Sequence, residues 1–290
     1  MPDDATLPPI AFRRPDAAGI RRCGLLPADL HVHTRHSDSW TRVSDALRLA
    51  RQRGIGLAIT DHNQIGGALE AERAGMGVPL IPGIEVSAAD GPHILLYFSS
   101  TNDLREFYRA HIEPQKGEGP CLAIGLTTAE ILDAREGYHC VAVEAHPCGY
   151  AFLNRGVERC IASGCADPGI FSRFDALEVI CGGMTRSHNL KAAALAHRHA
   201  LGRTGGTDAH LLHDIGNVVT CAPAETAEEF LEAIRSRATR VVGQEKNILA
   251  RAATGTAALP HHIPYALPIL KRRCEECAPL LGAYLRSRLN

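Results

Sequence analysis

Short apolar runs recur along this chain, and most are followed by a stretch whose apolar residues return at helical spacing. The first run ends at about His33. Thr41 to Arg53 follows, with Val43, Ala46, Leu47 and Ala50 on one helical stripe and Gly54 as its stop. Ile55 to Thr60 reads as a strand, Gly67 to Ala74 as a helix and Val78 to Val86 as a strand. The turn Asp90-Gly91-Pro92 leads into a further strand, His93 to Phe98. Asn102 to Ile112 is predicted helical with Thr101 or Asn102 as cap, Glu113 to Gly125 a loop, and Thr128 to Glu136 a helix ended by Gly137. Tyr138 to Ala145, Ala176 to Cys181, Arg203 to Thr207 and Thr239 to Val242 read as strands. Val157 to Ala162, His188 to His199 and Thr226 to Arg237 read as helices. Strands alternating with helices over this length predict an α/β fold with a mainly parallel sheet. Residues 1–26, with Pro8, Pro9 and Pro15, are expected to be a lead-in tail and 27–246 the α/β body. Residues 247–290 form a C-terminal helical extension, in which Leu267 to Leu289 looks helical.

Polar residues interrupt this pattern in one kind of place. On a strand, Asp29, His31 and His33 project to one side, and a turn carrying His36 and Asp38 follows. His62, Glu85, His146, Asp208 and His210 also fall at or just beyond predicted strand ends. In a (β/α) barrel those ends share one rim, so residues distant in sequence meet there. Neutral imidazoles and carboxylates gathered on a rim suit a transition-metal centre, and that is what the pattern predicts. Other chemistries lack their signatures. Gly66-Gly67 and Gly205-Gly206 do not have dinucleotide or P-loop spacing, and no Gly-x-Ser-x-Gly nucleophile elbow occurs.

Bulk properties narrow the partners. The chain has 290 residues and a formal net charge of -1, which gives no electrostatic case for bulk nucleic-acid binding or for a membrane surface. It leaves room for a small phosphorylated molecule or a short oligonucleotide, which need only a few local cations. No run has the length of a membrane span, and the first residues lack the apolar core of a signal peptide, so a cytoplasmic protein is expected. The ten cysteines are scattered, several inside apolar runs, as buried thiols in a reducing compartment would be. Cys274-Glu275-Glu276-Cys277 lacks the second ligand pair of a zinc knuckle and is read as structural or incidental.

The motifs also carry a family resemblance. Asp29-Leu30-His31-Val32-His33-Thr34, Ile59-Thr60-Asp61-His62, Pro82-Gly83-Ile84-Glu85-Val86-Ser87, His93-Ile94-Leu95, Ala145-His146-Pro147 and Gly206-Thr207-Asp208-Ala209-His210 resemble, in order, the motifs of the PHP (polymerase and histidinol phosphatase) family. The resemblance implies a distorted (β/α)7 TIM-like barrel holding two or three divalent metals, Mn, Zn or Fe. It makes His31, His33, Asp38, His62, Glu85, His93, His146, Asp208 and His210 the candidate ligands, with Glu85 as a bridge. Asp38 competes with His36 for the last ligand position. Asp61, on the opposite face from His62, is expected to orient a neighbour rather than bind metal.

The implied reaction is phosphoester hydrolysis, as a phosphatase or phosphodiesterase on a small phosphorylated metabolite, a nucleotide or a short oligonucleotide. A metal pair would supply the hydroxide for in-line attack on phosphorus and would draw charge off the phosphoryl oxygens. Asp208 or a rim histidine such as His210 would handle the proton, and Arg186 and Arg35 are the candidate cations for the phosphate. Two alternatives stand beside this reading: a metal-dependent C–N hydrolase and a catalytically silent metal-binding module. His111, His139, His188, His197, His199, His213, His261 and His262 are left outside the site. Substrate choice is assigned to the loops 113–125 and 148–173, and 247–290 either packs across the barrel or pairs two copies as a homo-oligomer.

Overall fold

The computed structural model of the chain describes residues 7–117, 122–151, 154–164 and 166–265. Within them, one five-stranded sheet runs in the order β1 (Ile10–Ala11), β12 (Arg240–Gly243), β11 (Val218–Ala222), β2 (Leu26–Val32) and β3 (Gly56–Ile59). A second runs β10 (Gly202–Gly206), β9 (Ala176–Cys181), β6 (Cys140–Glu144), β5 (His93–Phe98) and β4 (Gly83–Ser87), and β7 (Tyr150–Ala151) pairs with β8 (Asn154–Arg155). The helices are α1 (Ala17–Arg22), α2 (Val43–Arg53), α3 (Gly66–Ala74), α4 (Thr101–Phe107), α5 (Thr128–Ala134), α6 (Val157–Ala162), α7 (Arg186–Arg198), α8 (Ala227–Arg235) and α9 (Ile248–His262).

Local chemistry accounts for most of these boundaries. The stripe Val43, Ala46, Leu47 and Ala50 is buried, and Gly54 ends α2 in the left-handed conformation that a glycine adopts without strain. Capping boxes at Thr127–Glu130 and Thr226–Glu229 start α5 and α8. The helix expected from Asn102 to Ile112 is α-helical to Phe107 and then widens into one π turn, Tyr108–Ile112.

The mainly parallel sheet is corrected to a mixed one. β4, β5 and β6 pair antiparallel, and β11 is antiparallel to both β2 and β12. Residues 88–92 between β4 and β5 are too few for the crossover that a parallel pair needs. The run expected to be one strand from Val78 pairs as a ladder only from Gly83. Pro79 and Pro82 offer no N–H to a neighbour, and Leu80 makes a single bridge to Leu57. The sheets meet through isolated bridges, Leu57 to Leu80, His62 to Glu85 and Val32 to Ala209, and continuous ladders do not close them into a barrel. What stands of the expected architecture is the mixed α/β fold.

A core of Ala28 and Leu30 from β2, Leu95 and Tyr97 from β5, and Val141 and Val143 from β6 joins the sheets. The Tyr97 hydroxyl donates to the Leu30 carbonyl at 2.7 Å across it. Phe230 and Ile234 of α8 close this core beside Leu26 and Ala176, at the starts of β2 and β9. The C-terminal ends of β2, β3, β6 and β10 and the N-terminal end of β5 are left to the polar residues. The expected lead-in tail contains structure: Ile10–Ala11 pairs parallel with Val241–Val242, and Asp16 caps α1 by accepting from the Gly19 N–H. The expected helix at 267–289 and the Cys274–Cys277 pair lie outside the described residues.

Candidate metal centre

Six strand ends converge on one place. β2 delivers His31 and, one residue past its end, His33, whose N–H donates to the Ala209 carbonyl at 3.0 Å. His62 follows β3, Glu85 lies within β4, His93 opens β5 and His146 follows β6. Asp208 and His210 follow β10. His146 and Asp208 hold left-handed backbone, with φ of 34° and 49°. That conformation costs a non-glycine residue about 1–3 kcal/mol and persists where the surroundings impose it. Here it turns the side chains inward from the strand ends.

Glu85 is the hub. Its Oε2 lies 3.2 Å from His31 Nε2, 3.2 Å from His33 Nε2 and 3.1 Å from His62 Nδ1. Its Oε1 lies 3.0 Å from His93 Nδ1 and 3.2 Å from His146 Nε2. Asp208 Oδ1 lies 3.2 Å from His33 Nε2 and 3.4 Å from His210 Nδ1, and Asp38 Oδ2 lies 3.1 Å from His210 Nε2. Four groups of donor atoms arise, each within 4.8 Å of one another: His33, Asp38, His62 and His210; His31, Glu85 and His146; His31, His33 and Asp208; His62, Glu85 and His93. All nine residues expected as ligands are therefore brought together.

These residues fit metal ions. His31 Nε2, both ring nitrogens of His33 and Glu85 Oε2 are buried without a hydrogen-bond partner, although nitrogens and carboxylate oxygens stand 3.2 Å apart. Buried polar atoms are ordinarily hydrogen-bonded. A set of lone pairs aimed at common centres is instead the arrangement of a ligand cage, and nitrogen with carboxylate oxygen suits a first-row transition metal.

The electrostatics agree. Burial opposes protonation of His33, yet Asp208 and Glu85 lift its imidazole to about 10, and Glu85, Glu178 and Asp208 likewise raise His31. At His62 burial wins and takes the imidazole down to about 3. Burial alone would raise Glu85 and Asp208, but the surrounding imidazoles hold both well below the usual carboxylate range. Ionised carboxylates in a buried site demand positive charge, and what favours protons on His31 and His33 favours a cation among them.

An outer ring orients the inner one. Glu178 Oε1 lies 3.0 Å from His31 Nδ1, and its Oε2 accepts from the His146 N–H at 2.9 Å, so one carboxylate sets two imidazole-bearing residues. Asp61 accepts from the Thr34 N–H, the Thr34 hydroxyl and the Ser37 hydroxyl, each at 2.7 Å. It thereby holds the turn that presents Asp38. Burial pushes Asp29 up to about 6 against hydrogen bonds from Thr207, Gly216 and His31, and this carboxylate ties β2 to the end of β10 rather than joining the cluster.

Other expectations fall outside the cluster. His36 Nε2 lies 2.9 Å from Glu70, and Asp38 is the turn residue that stands among the candidate donor groups. Arg35 pairs with the same Glu70, and Arg186 pairs with Glu245 and stacks over Phe12, so neither guanidinium faces the ligands. The cations near the site are Lys246 and Arg251, which line a cavity of about 220 Å³ together with Asp38, Asp208 and His210. Sequence reasoning missed both, because each lies beyond the last predicted strand. Glu178 was missed too, although a glutamate in the middle of an apolar strand is a visible anomaly.

Residues 186–239, which include Asp208 and His210, match the family model described as PHP-associated. A phosphoribosyl 1,2-cyclic phosphate 1,2-diphosphodiesterase from Eggerthella lenta is 43% identical over 65 residues, 21% of this chain and 25% of its own length. A 3',5'-nucleoside bisphosphate phosphatase from Chromobacterium violaceum is 40% identical over 68 residues, 22% of this chain and 24% of its own. The chain matches 52% or less of the length of these and the other curated relatives found.

Among solved structures, a two-domain protein from Bacteroides vulgatus containing a predicted PHP-like metal-dependent phosphoesterase superposes with a TM-score of 0.53. It is 16% identical, and the match covers 81% of this chain and 68% of that one. A lesion-specific endonuclease from Pyrococcus furiosus superposes at 0.58 and 19% identity, over 75% of this chain and 57% of its own. The chain shares its fold with these two proteins, and the family match over residues 186–239 agrees with the resemblance read from the motifs. An Endonuclease Q of like fold is seen in complex with a 27-mer duplex substrate that has an abasic lesion at the active site. That neighbour engages nucleic acid within a like fold, so the fold by itself does not exclude such a partner. Among the described residues no helix is long and apolar enough to cross a membrane.

Proposed function

We propose that this chain is a metal-dependent phosphoester hydrolase, a phosphatase or phosphodiesterase acting on a small phosphorylated metabolite, a nucleotide or a short oligonucleotide. The observation that carries the reading is the convergence of nine ligand-type side chains, with Glu85 shared between two of the donor groups. Residues 27–246 supply all nine, and the two sheets, bridged at both junctions, serve as the distorted (β/α)7 barrel of the family resemblance. His31, His33, Asp38, His62, Glu85, His93, His146, Asp208 and His210 would hold two or three divalent ions, Mn, Zn or Fe. When bound, such ions supply hydroxide at neutral pH and neutralise the phosphoryl oxygens.

The chain's own residues do the remaining work. Asp208, whose side chain is 19% exposed and lines the cavity, and His210 beside it would accept and pass on the proton. Buried free thiols at Cys140, Cys148, Cys181 and Cys221 support a reducing, cytoplasmic setting.

Metal content of the purified chain, followed by a panel of phosphorylated metabolites with Mn, tests the reading. His33→Ala and Asp208→Ala are each expected to abolish hydrolysis of an aryl phosphate while leaving the circular dichroism spectrum unchanged. Undiminished turnover by a metal-depleted double variant, or turnover of amides in place of phosphoesters, overturns it.

A further inference from the structure

The cavity beside the ligands has a wall from outside the strands. Asp38, Asp208 and His210 line one side, and Arg251, Thr254 and Gly255 of α9 line the other. The helix is tied down over the site. Its first turn is capped by Asn247, whose Oδ1 accepts from the Ala250 N–H at 2.8 Å. The Trp40 indole N–H donates to the Ala257 carbonyl at 3.0 Å, and the Trp40 ring lies 4.5 Å from that of His261. Trp40 belongs to the same turn as Asp38, so one short segment carries both a candidate ligand and the anchor of the wall.

The two cations on this cavity differ in what they are doing. Lys246 is engaged: its Nζ lies 3.0 Å from Asp214 Oδ2 and donates to the Asp208 carbonyl at 3.0 Å. Arg251 has no carboxylate at ion-pair distance among the described residues, whereas Arg35 and Arg186 end on Glu70 and Glu245. A guanidinium facing a cavity that already holds two carboxylates and a histidine is in the right place for a phosphoryl group, which it binds as a planar fork. At about 30 Å³ per water, the 220 Å³ cavity has roughly the volume of seven waters, enough for a phosphate and a few attached atoms.

We infer that Arg251 is the phosphate-binding residue of the site and that α9 restricts the substrate to a terminal phosphomonoester. The inference rests on the hydrolase reading for its substrate class, but phosphate binding is measurable without turnover. A dianionic terminal phosphate gains most from the guanidinium, and the interior diester of a polynucleotide is kept off by the helix.

The test uses the full metal-loaded chain, with inorganic phosphate as titrant in calorimetry and an aryl phosphate monoester against a bis-aryl diester in turnover. Arg251→Met is expected to weaken phosphate binding and raise KM for the monoester by about ten- to a hundredfold, with a much smaller effect on the diester. Arg251→Lys should recover part of the loss. Gly255→Leu is a second variant. A Cβ at Gly255 meets nothing within 4 Å, and leucine is the better helix former, so the helix is kept while the cavity fills. It should weaken phosphate binding with an unchanged melting temperature.

Wild-type phosphate affinity in Arg251→Met, a wild-type chain that does not bind phosphate, or a wild-type chain that turns over the diester as fast as the monoester overturns the inference. If the wild type binds phosphate through Arg251 but hydrolyses no ester, the hydrolase reading fails and the assignment of Arg251 stands. If esters are hydrolysed equally with and without Arg251, the reverse holds.

Discussion

Glu85 shows how much chemistry one side chain organises here, since its two oxygens lie within 3.2 Å of nitrogens from five histidines. Its position on a strand of the site and the positions of the histidines at strand ends were legible in the sequence, because strand alternation decides which side chains share a face. Glu178 was not, since its role depends on two residues from other strands, His31 and His146. Glu178→Gln keeps the shape and the neutral hydrogen bonds but removes the charge that polarises His31. We expect metal affinity to fall by about ten- to a hundredfold with little change in the apo melting temperature. Titration with a competing chelator reads the first quantity, and unchanged affinity would show that Glu178 serves packing alone.

Elements impose constraints that no single site residue reveals. β10 runs so close to β2 that a Cβ at Gly206 would lie 2.3 Å from His31 Cβ and 2.6 Å from His31 N. Gly206→Ala therefore has to push β2 and β10 apart. A loss of about 1–3 kcal/mol of stability is expected in urea unfolding, together with weakened metal loading, because His31 moves with the strand. Near-normal metal affinity in a destabilised protein would separate the two effects and show that the cluster tolerates the shift. Strand and helix positions were largely readable from spacing, down to the limits of β5, α6 and β9. β11 was not read, although Val218 to Ala222 is an apolar run. It enters the sheet antiparallel between β2 and β12, outside the strand–helix alternation by which the rest was recognised.

At the scale of the molecule, buried carboxylates and histidines make the fold depend on what they bind. Without a cation, Glu85, Asp38 and Asp208 stand close together in a low-dielectric interior, which costs stability. A ligand at about a thousand times its Kd adds about 4 kcal/mol, and a chain of this size gains roughly 2–4 °C per kcal/mol. Exhaustive chelation is therefore expected to lower the melting temperature by on the order of 10 °C, and Mn should restore it together with activity. A chelated protein that melts at the holo temperature would count against the metal cage.

By itself the sequence determined the alternation of strands and helices, the side chains that meet at the strand ends, and the nitrogen and carboxylate donor chemistry gathered there. These follow from local rules, the period of two along a strand and the donor chemistry of histidine and carboxylate, which act over a few residues. Tertiary structure alone decided the mixed direction of the sheets, the bridges where a barrel would close, the outer carboxylate of Glu178 and the turning of Arg35 and Arg186 away from the ligands. It also decided that α9 lies across the site with Arg251 on the cavity. Each depends on which surfaces far apart in the chain bury one another, and residue spacing carries no record of that choice.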